Sequence, residues 1–254
     1  VLYVTGPTGH GKTTTLFAIL DRMNTPDRMI ITVEDPVEYE IGGISQIQVN
    51  SKIELSFAIA LRAILRQNPD VVMVGETRDQ ETAEMAIQAS LTGHFVLSTL
   101  HTNDASSAPT RLIDMGVQPF LISSSLVGVL AQRLVRTLCP HCKEQTTLSP
   151  YELEMLDIES VPSYATIYKP KGCDKCSQTG YDTMTVVSEL LLITDKIRSL
   201  ILAKVDAAQI KKAAIDEGMH TLSMDAIQKI YSGITSVEEV LRAIISEADE
   251  EEEN

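Results

Sequence analysis

Basic residues are scarce in this sequence. Its 254 residues include 21 Lys and Arg against 35 Asp and Glu, for a formal net charge of −14. A protein that binds nucleic acid without sequence preference needs a basic face to displace counterions, so this balance disfavours that class. No apolar run approaches the roughly 20 residues of a membrane-spanning helix, and no signal peptide is visible. We therefore expect a soluble, cytoplasmic protein.

Cysteine is scarce as well, and four residues are too few for the disulfide framework of a small secreted protein. They form two C-x₂-C pairs, Cys139 with Cys142 and Cys173 with Cys176. Two such pairs in an intracellular protein indicate a tetrahedral four-thiolate Zn²⁺ site. Disulfides or a redox pair are the alternatives, although no thioredoxin-like βαβ pattern frames them. Because four thiolates fill the coordination sphere, the predicted zinc is structural.

The first 138 residues alternate short apolar runs with helical patterns, which is typical of a parallel sheet with crossover helices. The predicted strands are Val1–Thr5, Met29–Val33, Val71–Val74 and Phe95–Thr99. The predicted helices are Thr13–Asn24, Ile53–Gln67, Gln80–Leu91, Ala105–Met115 and Pro119 to about Arg136. A capping box from Ser51 to Glu54 is expected to begin the second of these helices. Residues 139–187 look irregular, and short helices are expected at Asp195–Ala203, Ala207–Glu217, Leu222–Ser232 and Val237–Glu247.

The predicted organisation is therefore α/β. It comprises a core at 1–138, a zinc-binding module at 139–187, a C-terminal helical region at 188–247 and an acidic tail at 248–254. The first predicted strand begins at residue 1, although a strand of a parallel sheet needs neighbours and covered faces. We accordingly expect that upstream sequence is missing.

A glycine-rich segment lies between the first predicted strand and helix. Gly6-Pro-Thr-Gly-His-Gly-Lys-Thr13 matches G-x-x-x-x-G-K-[ST], a loop whose backbone N–H groups bind phosphate with help from the helix dipole. Lys12 is predicted to reach the β- and γ-phosphates, and Thr13 to bind Mg²⁺. The predicted nucleotide-binding residues are Gly6, Pro7, Thr8, Gly9, His10, Gly11, Lys12, Thr13 and Thr14. A glycine-rich turn with an incidental lysine is the alternative.

Side chains that could take part in catalysis also follow the other predicted strands. Glu34, Glu76 and His101 come directly or almost directly after the second, third and fourth predicted strands. Ligands of open α/β sheets bind beyond the carboxyl ends of the strands. Glu76 is predicted to orient the attacking water, Glu34 to help hold water or Mg²⁺, and His101 to donate to the γ-phosphate. Taken singly, each acid could be a cap or a solvated turn, and His101 a histidine satisfied at the sheet edge.

Three arginines lie near these residues. Arg62 and Arg66 are one turn apart on a predicted helix, and Arg78 follows Glu76 closely. These arginines could contact phosphate, contact a neighbouring subunit or form exposed salt bridges, and the sequence does not decide among these roles.

Together these motifs resemble the secretion ATPase superfamily that powers type II secretion and type IV pilus assembly, over nearly the whole chain. Ile31–Glu38 looks like the family's Asp box, Asn68–Glu76 like its atypical Walker B motif, and Thr92–Asn103 like its His box. The resemblance implies a RecA-like P-loop core that hydrolyses ATP with Mg²⁺ in a homo-hexamer. It also implies an inner-membrane platform protein as partner, and so peripheral membrane association at the cytoplasmic face of the bacterial inner membrane.

The resemblance also indicates whether the motor extends or retracts a pilus. The zinc module accompanies secretion and pilus-extension ATPases and is missing from retraction ATPases, whereas the choice between type II secretion and pilus extension stays open. Intersubunit arginines come from an N-terminal domain that this sequence lacks, so we expect ATP binding with slow hydrolysis. A nucleotide-gated scaffold and a RecA-like DNA motor are the alternative functions, and no direct nucleic-acid contact is expected. Thr77 stands where the family usually has isoleucine, and His10 where it usually has serine.

Overall fold

The structure is a computed structural model that describes residues 1–245. The chain divides into two compact units. The first unit holds residues 1–131 and 190–219, and the second holds residues 132–189 and those from 220 onward. The contiguous domains predicted from the sequence stay a prediction, and the acidic tail 248–254 lies outside the described residues.

The elements are numbered in chain order. The strands are β1 (Leu2–Thr5), β2 (Ile30–Glu34), β3 (Ser45–Gln48), β4 (Val71–Val74), β5 (Phe95–Leu100), β6 (Gly128–Leu138), β7 (Glu144–Thr146), β8 (Ile167–Lys169) and β9 (Tyr181–Leu192). The helices are α1 (Lys12–Met23), α2 (Phe57–Leu65), α3 (Gln80–Leu91), α4 (Ser107–Asp114), α5 (Pro119–Ser125), α6 (Pro150–Met155), α7 (Asp195–Leu202), α8 (Ala207–Asp216), α9 (Leu222–Tyr231) and α10 (Val237–Val240). In this part of the chain no helix combines the length and apolarity needed to cross a bilayer.

The main sheet has the strand order β3-β2-β4-β5-β1-β6-β9. The pairs β2–β3, β2–β4, β4–β5, β1–β5 and β1–β6 are all parallel. Strands β2 and β4 are buried along their whole length, as expected of parallel strands covered on both faces. The four predicted strands and the α/β fold class are confirmed.

Helix α1 covers one face of this sheet. Leu16, Phe17 and Leu20 lie on one side of the helix and pack with strand residues such as Val4 and Met73 in a buried cluster. This packing fixes the start of α1, and therefore the glycine-rich loop before it, against the end of β1.

The helix predicted from Pro119 to about Arg136 is wrong beyond Ser125. Residues Gly128–Leu138 form β6, which pairs with β1 from Gly128 to Ala131. The apolar run in this segment is compatible with both the helical and the strand periodicity. Pairing with β1, which is distant in sequence, decides in favour of a strand. Because β1 needs a neighbour on this side, pairing wins over local helical periodicity.

The capping box predicted from Ser51 to Glu54 is also wrong. Residues Ser51–Ile53 form a single 3₁₀ turn, and Glu54 leaves it in the left-handed conformation, with φ of 58°. Helix α2 begins later, after Ser56, whose side chain accepts from the Ile59 N–H at 3.3 Å. The backbones of Asn50 and Leu55 bond to each other at 3.0 Å and close a turn that a helix would break.

In the second unit, 139–187 is less irregular than predicted. It contains the antiparallel pair β7–β8, helix α6, a 3₁₀ turn at Asp174–Cys176 and the start of β9. Of the helix predicted at Val237–Glu247, the structure has α10 and a π-helical turn at Leu241–Ile245, and the remainder lies outside the described residues. The helices predicted at 195–232 are confirmed as α7 and α8 in the first unit and α9 in the second.

A buried carboxylate joins parts of the second unit. Ser236 caps α10 by accepting from the Glu239 N–H at 3.3 Å, but the Glu239 side chain does not close a capping box. It accepts instead from Arg136 Nε at 2.9 Å and from Arg242 Nη2 at 2.8 Å. Burial acts to raise the pKa of Glu239, but the hydrogen bonds from Arg136 and Arg242 lower it to about 2.

Candidate functional site

The glycine-rich loop connects β1 to α1. Gly11 is the residue before the helix and has φ of 76°, a conformation that glycine adopts without strain. Its carbonyl accepts from the Thr15 N–H at 3.0 Å and so opens the helical hydrogen bonding. The Lys12 ammonium turns back over the loop and donates to the carbonyls of Gly6 at 2.7 Å and Pro7 at 2.9 Å. A strand, this loop and a helix N-terminus therefore form the arrangement expected of a phosphate site.

A cavity of about 430 Å³ opens beside this loop, at the carboxyl ends of the strands of the first unit. Its volume lies within the roughly 300–1,000 Å³ of small-molecule sites. The predicted site residues that line it are Thr8, Gly9, Gly11, Lys12, Thr13, Thr14, Glu34, Glu76 and His101. Gly6, Pro7 and His10 belong to the same loop but are not among its lining residues. The structure thus brings both predicted acids and the predicted histidine to one cavity with Lys12 and Thr13.

Glu34 ends β2 and is only 3% exposed. Its Oε1 accepts from the Thr32 hydroxyl at 2.5 Å and from Gln46 Nε2 at 3.0 Å. Its Oε2 is buried without a hydrogen-bond partner among the described residues. Since an unsatisfied buried carboxylate oxygen is costly, this atom fits a cation or a water held in the cavity.

Glu76 lies just beyond β4, after Gly75. The Gly75 N–H donates to the Val33 carbonyl at 2.8 Å, and a β-carbon at this glycine would lie 3.3 Å from the same oxygen. The close approach of the two backbones sets Glu76 beside Glu34. Glu76 Oε2 pairs with Arg78 Nε at 2.6 Å, the two side chains being 15% and 70% exposed.

His101 follows β5 and is held through its flanking peptides. The Thr5 hydroxyl lies 3.0 Å from the carbonyl oxygens of both Leu100 and Thr102, and it accepts from the Thr102 N–H at 2.9 Å. Because Thr5 ends β1 immediately before the glycine-rich loop, this clamp ties the histidine to the phosphate-site strand.

A buried polar layer braces the same edge. The Thr77 hydroxyl and Ser98 Oγ are 2.8 Å apart, and the Thr99 hydroxyl donates to the Gly75 carbonyl at 2.8 Å. Threonine is therefore satisfied at the position where the resembling family usually has isoleucine. Burial raises the pKa of the Tyr3 phenol to about 12.

Sequence reasoning missed part of this site. Thr32 shares the face of β2 that carries Glu34, a spacing of two that offered a signal. Gln46 lies on β3, a strand that was not predicted, so its contact with Glu34 had no sequence signal. The other lining residues are Leu16, Asp35, Pro36, Glu38, Phe57, Met73, Gly75, Arg78 and Thr99. Arg62 instead pairs with Glu81 at 3.0 Å on the exposed surface, and Arg66 donates to the Arg62 carbonyl at 3.1 Å.

The four cysteines of the second unit form a candidate metal centre. Their sulfur atoms all lie within 4.8 Å of one another, and the cysteines are free thiols. The Sγ–Sγ distances are 4.0 Å for Cys139 and Cys173, 3.8 Å for Cys142 and Cys176, and 3.7 Å for Cys173 and Cys176. Four sulfurs at about 2.3 Å from one ion form a tetrahedron with edges of about 3.8 Å. The cluster therefore has the dimensions of a four-thiolate metal site.

Backbone N–H groups shape this centre. Those of Cys173 and Gly180 each donate to Cys176 Sγ at 3.2 Å. Burial raises the pKa of the Cys142 thiol to about 11. At Cys176 burial acts in the same direction, but the N–H donors prevail and lower its pKa to about 6. These N–H donors would stabilise a thiolate at Cys176 when a cation is bound.

Strand, glycine-rich loop and helix, with acids at neighbouring parallel strand ends, define the class as a P-loop nucleotide-binding α/β protein. Within this class the family described as "Type II/IV secretion system protein" matches residues 1–242, and the chain belongs to that family. The resemblance seen in the sequence motifs is confirmed.

Two curated relatives illustrate the match. The chain is 53% identical over 242 residues to the putative type II secretion system protein E of Escherichia coli K12, covering 95% of this chain and 49% of the relative. It is 52% identical over 246 residues to the type IV pilus assembly ATPase PilB of Thermus thermophilus, covering 96% of this chain and 28% of PilB. The chain thus spans half or less of these relatives.

Solved structures show the same fold. The pilus retraction motor PilT with bound ADP matches with a TM-score of 0.71 at 29% identity, over 99% of this chain and 63% of PilT. The ATPase DotB of Legionella pneumophila matches with a TM-score of 0.67 at 25% identity, over 94% of this chain and 58% of DotB.

Proposed function

We propose that the chain carries the ATP-hydrolysing site of a motor for type IV pilus extension or type II secretion. One observation carries the proposal: a single cavity gathers Lys12 and Thr13 with Glu34, Glu76 and His101. The relative named as a type IV pilus assembly ATPase supports the same activity for this chain, as does a relative of Vibrio cholerae named as a type II secretion system ATPase.

The phosphate loop binds the triphosphate. Lys12 exchanges the carbonyls of Gly6 and Pro7 for the β- and γ-phosphates, and the loop N–H groups and the α1 N-terminus bind further oxygens. The Thr13 hydroxyl and the buried Glu34 Oε2 hold Mg²⁺ or its water ligands. When bound, Mg²⁺ neutralises charge on the phosphates.

Two side chains act on the γ-phosphate. Glu76 orients the attacking water, and its place after Gly75 sets it beside Glu34 at the cavity wall. His101 donates to the γ-phosphate and reports its release through the Thr5 clamp to the strand that leads into the loop. Such positioning and charge stabilisation supply most of the catalysis of phosphoryl transfer.

The four-cysteine centre holds Zn²⁺ in a structural role. Its sulfur spacing fits a closed tetrahedron, so the ion has no open position for catalysis and contributes to folding. The zinc-binding module favours pilus extension or secretion over retraction, as the family resemblance implies.

The working assembly is a homo-hexamer that binds an inner-membrane platform protein. It is cytoplasmic, at the inner face of the bacterial inner membrane, and its membrane association runs through partners. The acidic net charge of −14 disfavours a direct role for nucleic acid.

The test is single-turnover phosphate release from MgATP with protein in excess. Because Glu76 orients the water, Glu76→Gln should slow release by about 100-fold while nucleotide binding is kept. Glu40→Gln is the control, since Glu40 is exposed and does not line the cavity. Normal release by Glu76→Gln would show that Glu76 does not orient the water. Nucleotide binding by the wild type with no phosphate release would favour a nucleotide-gated scaffold, and stimulation by duplex DNA would favour a DNA motor.

A further inference from the structure

Arg78 and Glu76 form an ion pair inside the cavity that is proposed to bind ATP. Arg78 Nε lies 2.6 Å from Glu76 Oε2, and both side chains line the cavity with Lys12. A carboxylate that accepts from a guanidinium has one oxygen engaged. In the nucleotide-free chain, the guanidinium therefore occupies one acceptor position of Glu76 Oε2 and weakens its attraction for the proton of a water.

The charges around the cavity are unequal. Among the described residues that line it, four are acids, Glu34, Asp35, Glu38 and Glu76, and two are the cations Lys12 and Arg78. A triphosphate would add negative charge opposite these acids. Arg78 is the lining cation that can offset this charge alongside Lys12, and guanidinium geometry suits phosphate oxygens.

The backbone at Arg78 is fixed, whereas its side chain is not packed. On one side the Thr77 N–H donates to the Thr99 carbonyl at 2.9 Å, and on the other Asp79 caps α3 by accepting from the Thr82 N–H at 2.8 Å. The Arg78 side chain itself is 70% exposed. It can therefore reorient within the cavity without disturbing the strand ends.

We propose that Arg78 is a phosphate-exchange residue, which pairs with Glu76 in the empty site and moves to the γ-phosphate when ATP binds. The inference rests on the proposed function of the cavity. The exchange removes the guanidinium from Glu76 Oε2, which then accepts more strongly from the attacking water, so recognition of the γ-phosphate and activation of the water-orienting acid are one motion. Because ADP lacks the γ-phosphate, Arg78 keeps its ion pair with Glu76 when ADP is bound.

The expected strengths favour this exchange. The Arg78 side chain is 70% exposed and Glu76 15%, and an ion pair open to solvent on one side is worth about fivefold in an equilibrium constant. Charged hydrogen bonds to a phosphate are worth about tenfold or more. Because a terminal phosphate carries more negative charge than a carboxylate and offers three acceptor oxygens, the gain at the phosphate exceeds the loss at Glu76.

The test compares the affinities of fluorescent (mant-labelled) AMPPNP and ADP, both with Mg²⁺, for the chain and its variants. Arg78→Ala should weaken AMPPNP binding about tenfold or more and ADP binding less than twofold. Glu76→Gln removes the competitor for Arg78 and should tighten AMPPNP binding by up to about fivefold. Arg66→Ala is the matched control, because Arg66 is exposed and does not line the cavity.

The outcomes separate the two proposals. If Lys12→Ala weakens both nucleotides but Arg78→Ala changes them equally or not at all, the exchange is wrong and the nucleotide site stands. The exchange is also wrong if Arg78→Ala slows phosphate release with an unchanged AMPPNP-to-ADP affinity ratio, since Arg78 then only positions Glu76. If the chain binds neither nucleotide, or binds both independently of Lys12, the proposed function fails and the exchange with it.

Discussion

The phosphate cavity of the first unit and the four-cysteine centre of the second are built in different ways. The cavity gathers residues from 8 to 101, delivered by the ends of β1, β2, β4 and β5. The centre takes all its ligands from two short turns, each with two cysteines three positions apart. The first depends on the strand order of a sheet, whereas the second requires only that two turns meet.

This difference predicts different consequences of mutation. The cavity side chains lie on a scaffold that is held by its own core, so replacing them should alter nucleotide chemistry and leave folding intact. The ligand side chains themselves join the turns of the second unit, so replacing them should unfold it. The expectations below test this contrast, from the largest effect to the smallest.

Loss of the metal centre should have the largest effect. Cys176→Ser, or chelation of the wild type, should abolish stoichiometric zinc and raise hydrogen exchange across residues 139–180, because structural zinc contributes about 10–16 kcal/mol in small zinc domains. Metal analysis and exchange mass spectrometry measure both effects. Lys175→Ala, at an exposed position between two ligands, is the control. One zinc per chain and unchanged protection in Cys176→Ser would contradict the assignment.

Replacement of Glu239, the buried carboxylate of the second unit, should have the second-largest effect on stability. Glu239→Gln weakens the charged hydrogen bonds with Arg136 and Arg242, whose side chains are partly exposed, and such bonds are worth about 1.5–3 kcal/mol each, so we expect a loss of about 3 kcal/mol. Urea unfolding measures the change. Glu238→Gln, at the exposed neighbouring position, should change stability by less than about 0.5 kcal/mol. Equal stability of the two variants would show that the Glu239 cluster does not hold this unit.

The same carboxylate should produce a pH signature. The pKa of Glu239 is about 2 in the folded chain against an ordinary value of 4.5. Because its folded pKa is depressed, its stabilisation is complete above pH ~5 and is lost as the pH falls from 4.5 towards 2. The difference in unfolding free energy between wild type and Glu239→Gln should shrink by about 3 kcal/mol over that range. A difference that is constant with pH would contradict the assigned pKa.

The smallest effect concerns the positioning of Glu34. Gln46→Ala removes the donor to Glu34 Oε1, together with the contacts of the same amide to the Ile41 N–H and the Tyr39 carbonyl. The lost hydrogen bond to Glu34 is worth about 1 kcal/mol, so phosphate release should slow about fivefold. Nucleotide affinity should stay the same, because Gln46 does not line the cavity. Gln48→Ala is the control on the same strand, since Gln48 accepts from the Val37 N–H instead. Equal slowing by both variants would indicate a general effect on β3.

The sequence revealed features with local causes. Strand β4 is a short apolar run and the phosphate loop is a spaced motif, so both could be predicted. Likewise Asp79, which immediately precedes the predicted helix Gln80–Leu91, caps α3. Each of these depends on residues within one turn or one strand.

Features with distant causes escaped prediction. The change from helix to strand at Gly128 depends on pairing with Leu2, more than a hundred residues earlier. Gln46 reaches Glu34 only because β3 pairs with β2. The pairing of Arg78 with Glu76 was one of several open alternatives until the loop geometry fixed it. Tertiary partners decide such cases, and a local pattern does not contain them.

The most direct test of the account is a crystal structure of the Glu76→Gln chain with MgATP. We expect the triphosphate in the cavity, with Lys12 Nζ moved from the carbonyls of Gly6 and Pro7 to phosphate oxygens, and with Glu34 and His101 facing the γ-phosphate. A nucleotide bound elsewhere, or Lys12 still on those carbonyls at saturating MgATP, would contradict the claim that these side chains serve one phosphate site.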